Sequence, residues 1–314
     1  MQKLKNTLLA AFAGLFLFST AAAPSPAQAQ DKTFTIGFPQ DNMANDWRRA
    51  QVMAVQAVLD QHANVKFIYT DAQGDTAKNI QDIEDLVDQG IDLLMISPRD
   101  GQAMTPVIAA VHAKGIPVVL LTRRILNDAY TTFVSADDAK IAAGAAKFLA
   151  QKLNGAGKVL VLQGVPTAST AVKRTEGFLT EIAKHPGIEV VAVKPANYLR
   201  AEAIKAVEQA LEEGLEFDAI YAQSDSMAAG ARLALGALGV DPASKLIVGI
   251  DYIPEAREAI RNGQQAATFS YPTAGKEGAE IALKILKGES VAREIEVPSQ
   301  MVTKENVETV DTVF

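Results

Sequence analysis

The 314-residue chain contains no cysteine. That absence excludes disulfide bonds, thiolate metal sites, a cysteine nucleophile and a lipid-bearing cysteine behind an export leader. Histidine is almost as scarce. His62, His112 and His185 each fall in or just after a predicted helix, and none has a partner at metal-ligand spacing. They read as surface or helix-end residues. No G-x-S-x-G elbow occurs. In "NGAGKVLV" no Ser or Thr follows Lys158 and the glycines precede a strand, so the stretch is a helix stop and not a phosphate loop. Lys and Arg total 30 against 37 Asp and Glu, leaving no basic excess to meet a phosphate backbone, which argues against nucleic acid as a partner. Carboxylates are plentiful, but a sequence cannot pair them in space, so glycosidase chemistry has no support. Nothing here points to an enzyme, a cofactor, a metal or a catalytic residue.

Long apolar runs are missing too, with one exception. Lys3 and Lys5 precede "TLLAAFAGLFLF" (7–18), and "AQA" (27–29) lies within a helix-breaking "APSPAQAQ" tract. The apolar run is too short to span a bilayer comfortably and no stop-transfer flank follows it. Residues 1–29 are therefore expected to be a secretory signal peptide cleaved near Ala29, which sends the chain to the periplasm. Residues 30–314 suffice for two ordinary domains.

What is present is an alternation. Apolar strand runs at 34–38, 65–69, 92–97 and 117–122 form one series; runs at 158–163, 188–193, 217–222, 245–250 and 266–271 form another. Amphipathic helical patterns fall between them, among them "TAKNIQDIEDLVDQG", "AKIAAGAAKFLAQKLNG", "AEAIKAVEQALEEG" and "SMAAGARLALGALG", each closed by glycine. Apolar strands without strict alternation, joined by helices, imply parallel sheets covered on both faces. The fold class expected is α/β, with two Rossmann-like doubly wound lobes. In such sheets ligands sit beyond the carboxyl ends of strands, where strand order reverses. Those ends carry polar and aromatic groups here: 41–48, Asp71, 97–100, 122–124, 163–174, 197–200, 223–226, Asp251, Tyr252 and Tyr271.

One such end, "IGFPQDNMANDWRRAQ" (36–51), holds the only tryptophan, Trp47, between hydrogen-bonding neighbours. With "IPVVLLTRR", "VSADD", "LQGVPTASTAVKRTEGF", "YAQSDSMAAGA", "IVGID" and "GQQAATFSYP", in that order and spacing, the chain resembles the periplasmic monosaccharide-binding proteins of ABC importers, the ribose- and galactofuranose-binding group. The resemblance runs across essentially all of the mature chain. It implies two lobes joined by a three-strand hinge. Residues 30–136 with 271–300 make the N-terminal lobe, and 137–270 with 301–314 the C-terminal lobe, closing around a sugar.

The resemblance also implies roles, position by position. Trp47 stacks on one face of the sugar ring and Tyr198 on the other; Asn45 and Arg48 flank Trp47 and reach hydroxyls. Taken alone, Trp47 would read as a core residue plugging the helix start, and Arg49 reads as a solvated helix face. Arg123 and Arg174 supply donor forks from the two lobes. Asp251 accepts hydroxyl hydrogen bonds, although the same place suits a helix N-cap. Tyr271 reaches in from the third crossing. At Thr122 the family commonly has aspartate, and at Ser224 an amide or acid. These two changes remove acceptors and leave Arg48, Arg123 and Arg174 less compensated, which opens the site to a sugar acid or polyol beside a neutral sugar. The partners implied are a monosaccharide and an ABC permease, with a chemoreceptor or sensor kinase as the alternative, and the expected state is a monomer.

Overall fold

The computed structural model describes residues 32–314, and the expected signal peptide lies outside them. The first series of elements is β1 (Phe34–Gln40), α1 (Asp46–Leu59), β2 (Val65–Asp71), α2 (Thr76–Asp88), β3 (Leu93–Ile96), α3 (Gly101–Ala113), β4 (Val118–Leu121) and β5 (Thr132–Ser135). There follow α4 (Asp138–Lys152), β6 (Ala156–Gln163), α5 (Ser169–Ile182), β7 (Gly187–Pro195), α6 (Arg200–Glu212), β8 (Ala219–Ala222), α7 (Asp225–Ala237), β9 (Leu246–Val248), α8 (Pro254–Arg261) and β10 (Ala267–Phe269). The chain closes with α9 (Gly275–Leu286), β11 (Glu294–Glu296) and β12 (Met301–Thr303).

Two six-stranded sheets result, ordered β11-β5-β4-β3-β1-β2 and β12-β10-β9-β8-β6-β7. All pairings are parallel except β10 with β12. The inner strands "LLMI" and "VVLL" are wholly buried, as parallel strands sandwiched by helices must be, whereas edge strand β2 is only partly covered. The fold is thus two Rossmann-like lobes. The chain passes from one sheet to the other after β5, after β10 and after β11, since α9 packs on α1, β3 and β4 of the first lobe.

Strand order reverses between β1 and β3 in one sheet and between β6 and β8 in the other. Helices start at those strand ends because the loops end in capping residues. Asn45 caps α1, Asp100 caps α3, Asp137 caps α4 and Ser224 caps α7, each side chain accepting a backbone N–H of the first turn. The short loops bring these polar ends of the two sheets face to face.

Candidate functional site

Between the lobes lies a narrow cavity lined by Asn45, Trp47, Arg48, Thr122, Thr170, Arg174, Tyr198, Ser224, Asp251 and Tyr271. Nine of these ten are residues singled out in the sequence. The tenth, Thr170, was not. Arg123, which was, is not part of the lining: it lies behind the wall, 1% exposed.

The first-lobe wall is built on the start of α1. The Asn45 Oδ1 accepts the Arg48 backbone N–H at 2.9 Å, and its Nδ2 donates across the cleft to the Tyr198 carbonyl at 2.7 Å. Trp47 donates its indole N–H to the Tyr271 carbonyl at 2.9 Å. Its ring tilts against the Tyr271 ring with centroids 5.7 Å apart, and the Arg48 guanidinium lies 5.0 Å from its centroid. Arg48 donates through Nη1 to Ser97 Oγ at 2.7 Å and to Gln51 Oε1 at 3.2 Å. Behind it the buried Asp41 draws in three arginines: Arg123 at 2.8 Å, Arg48 at 3.6 Å and Arg99 at 3.7 Å. Burial pushes the Asp41 carboxyl up, but Arg123 and Arg48 outweigh it and hold its pKa below the ordinary value. Burial, with Arg123 as a like charge, brings the Arg48 guanidinium down to about 10.

The second-lobe wall centres on Arg174. Its Nε donates to Asp138 Oδ1 at 2.7 Å and its Nη1 to the Gln223 carbonyl at 2.5 Å. The guanidinium lies 4.4 Å from the Tyr271 ring centroid and 5.9 Å from that of Tyr198. Burial works against this charge, yet Asp138 and the neighbouring Tyr198 and Tyr271 leave its pKa well above the usual value. Tyr198 shares a 2.9 Å hydroxyl hydrogen bond with Thr170. The Tyr198 ring packs onto Gly164, where an added Cβ would lie 2.0 Å from it; only glycine leaves that seat open.

Asp251 is 5% exposed, and among the described residues no side chain hydrogen-bonds to its carboxylate. Burial raises its pKa well above the ordinary range, Arg174 pulls the other way and Asp225 adds to the rise. The Asp225 backbone N–H also favours its charged form, and the carboxylate lines the cavity.

The backbone is strained at the same places. Thr122, Tyr198 and Asp251 have φ of 61°, 63° and 122°. A left-handed conformation is unusual for any of these types and most so for β-branched Thr122. Such outliers gather at ligand clamps, where surrounding structure holds them. Further contacts hold the lobes together beside the cavity: Arg124 N–H to Ser169 Oγ at 2.8 Å and Gly101 N–H to the Thr167 carbonyl at 3.2 Å.

Sequence reading passed over Asp41 and Asp138, the carboxylates that pair with Arg123 and Arg174. Both lay within stretches noted as strand ends or motifs, but their partners come from other elements, so no local spacing marked them. Arg174 thus has a carboxylate of its own, while Arg48, Arg99 and Arg123 share Asp41.

Comparison with known proteins gives concordant matches. Residues 36–290 match the family described as periplasmic binding protein domain. The ribose import binding protein RbsB of Bacillus subtilis is 31% identical over 298 residues, covering 92% of this chain and 96% of its own length. The fructose binding periplasmic domain of a hybrid two component system superposes with a TM-score of 0.83 at 30% identity, covering 88% of this chain and 92% of that one. An ABC transporter solute binding protein from Bacillus halodurans with bound myo-inositol also gives 0.83, at 28% identity, covering 89% and 98%.

Proposed function

The chain belongs to the periplasmic binding protein family, and from that premise we propose that it captures a neutral monosaccharide or cyclic polyol between its lobes and delivers it to an ABC permease. Export to the periplasm is part of the same reading. One observation carries the choice of ligand class: Asp251, a buried carboxylate without a side-chain partner, faces the cavity. Asp41 answers Arg48 and Arg123, and Asp138 answers Arg174. An added anion would meet the buried carboxylate of Asp251 directly, and that repulsion opposes it. Hydroxyl groups suit the arrangement better, since each can donate to Asp251 and accept from a guanidinium.

In this reading Trp47 and Tyr271 supply apolar faces for ring C–H groups, Tyr198 closes the opposite side, and Asn45, Thr122, Thr170 and Ser224 offer short polar reach. Arg123 acts from behind, fixing Asp41. Residues come from both lobes, so only the closed state makes all contacts at once, and ligand shifts the population toward it. The relatives named for ribose, fructose and myo-inositol support this class of ligand.

A thermal-shift screen of ligand-stripped protein against neutral aldoses, ketoses, inositols and the matching sugar acids tests the proposal. Ligand at a thousand times its Kd adds about 4 kcal/mol, or roughly 8 to 16 °C for lobes of this size. A shift with a neutral compound is expected. Shifts with acids alone overturn the ligand class, and no shift with any overturns the sugar reading.

A further inference from the structure

Asp225 lies outside the cavity lining, at the first residue of α7, and is fully buried. Its backbone N–H donates to the Ile250 carbonyl at 2.6 Å. Its Oδ2 accepts the Tyr252 N–H at 2.7 Å and the Thr268 hydroxyl at 2.8 Å, while Oδ1 accepts from Gln265 Nε2 at 2.7 Å. The residue bonded on either side of these contacts is Asp251. One aspartate thus grips the chain immediately before and immediately after the carboxylate that faces the cavity.

The gripped segment needs holding. Asp251 has φ of 122° and Tyr252 of 60°, consecutive conformations that L-residues disfavour. Asp251 is otherwise tied through its backbone, its N–H to the Phe269 carbonyl and its carbonyl to the Tyr271 N–H, and the Asp225 N–H acts on its carboxylate. The neighbouring sequence makes room for the grip. A Cβ on Gly249 would lie 1.9 Å from Asp225 Oδ1, so the carboxylate occupies space that only glycine leaves free. Gln265 is itself fixed by Arg232, which donates to its Oε1.

We propose that Asp225 is a positioning residue for ligand binding, clamping the strained Asp251–Tyr252 turn so that the Asp251 carboxylate points into the cleft. This rests on the reading of Asp251 as the ligand's acceptor. The carboxylate does the clamping because every group facing it is a donor: a backbone N–H, a hydroxyl and an amide NH₂. An amide in its place must turn one NH₂ toward donors, which leaves a buried hydrogen bond unmade. The charged groups around it are Arg232 on its own helix and Asp251 on the adjoining strand end. Burial raises the Asp225 pKa to about 6, with Gln265, Thr268 and the Tyr252 N–H opposing the rise.

The test uses the exported protein purified from the periplasm and stripped of ligand. The amide resonance of Tyr252 is followed from pH 4.5 to 8 in the wild type, Asp225→Asn and Thr268→Val. The clamp predicts a wild-type transition near pH 6, its absence in Asp225→Asn, and a midpoint moved upward in Thr268→Val, which loses one donor. Thr268→Val changes one buried atom pair and keeps the test decisive if Asp225→Asn does not fold. Calorimetry with D-ribose and with myo-inositol should show Asp225→Asn binding about ten- to a hundredfold more weakly. An Asp225→Asn resonance that titrates as in the wild type, a Thr268→Val midpoint that does not move, or wild-type affinity in Asp225→Asn overturns the clamp. If the wild type binds neither compound, the sugar reading suffers and the Tyr252 titration still decides the role of Asp225.

Discussion

The two walls of the cleft handle buried charge in opposite ways. On the first-lobe wall a single carboxylate, Asp41, faces three guanidiniums, and its pKa lies below the ordinary value despite burial. On the second-lobe wall Asp138, Asp225 and Asp251 all have raised pKa values, burial being the largest cause in each, although Arg174 pulls Asp138 and Asp251 down and Arg232 acts on Asp225. Two copies of one architecture therefore end in different chemistry. The first wall presents donors in a fixed charge state. The second presents acceptors whose charge depends on pH and on what fills the cavity.

The contrast breaks most severely at Asp41. Asp41→Ala leaves Arg123 buried at 1% exposure beside Arg48 with no counter-charge. Removing one partner of a buried pair costs about 3 to 5 kcal/mol, so urea denaturation should show a loss of that order. On the opposite wall Asp251→Ala should do the reverse. It removes a buried carboxylate that has no side-chain partner, so ligand-free stability should hold or rise. Affinity should fall by about a hundredfold or more, since two charge-assisted hydrogen bonds are lost; calorimetry and urea melts of the one variant check both halves.

Titration sharpens the comparison further. Ligand hydroxyls favour ionised Asp251, whose pKa is raised in the closed cleft, so binding releases a proton and affinity falls as pH falls, by up to about tenfold per unit. For stability the walls have opposite signs. The Asp225 contribution is fully present below the ordinary carboxylate pKa and is lost as pH rises through about 6, its folded value. The Asp41 contribution is present above the ordinary value and is lost as pH falls through its lowered one. Urea melts of the wild type, Asp225→Asn and Asp41→Asn across pH 3 to 8 should separate the two. Asn45→Ala should have the smallest effect: about 1 kcal/mol from the lost helix cap, with a larger radius of gyration in solution scattering because the bond to Tyr198 across the cleft is gone.

Much of the fold could be read from the sequence because parallel strands buried on both faces appear as apolar runs. The runs at 92–97 and 117–122 became β3 and β4 within a residue at each end. Strand β11, "EIE", has one apolar residue, and β5, "TFVS", and β12, "MVT", each have two, so no apolar run marked them. The cavity lining was visible to the extent that strand-end position and family motif coincide, as at Trp47, Arg174 and Asp251. The supporting charges were not. Asp41 meets Arg123 across 82 positions, and Asp225 grips a turn 27 positions away, distances at which sequence pattern is silent. The strain at Thr122 and Tyr198 was equally invisible, since neither is a residue type that advertises a left-handed backbone.

The most direct test of the account is calorimetry with matched pairs, D-ribose against D-ribonate and D-glucose against D-gluconate, together with myo-inositol and D-fructose, at pH 7.5. The Asp251 carboxylate facing the cavity predicts that a neutral compound binds and that no acid binds more tightly than its neutral partner. An acid bound in preference to its neutral partner would contradict the account, because it would mean that the arginines and not Asp251 decide the ligand.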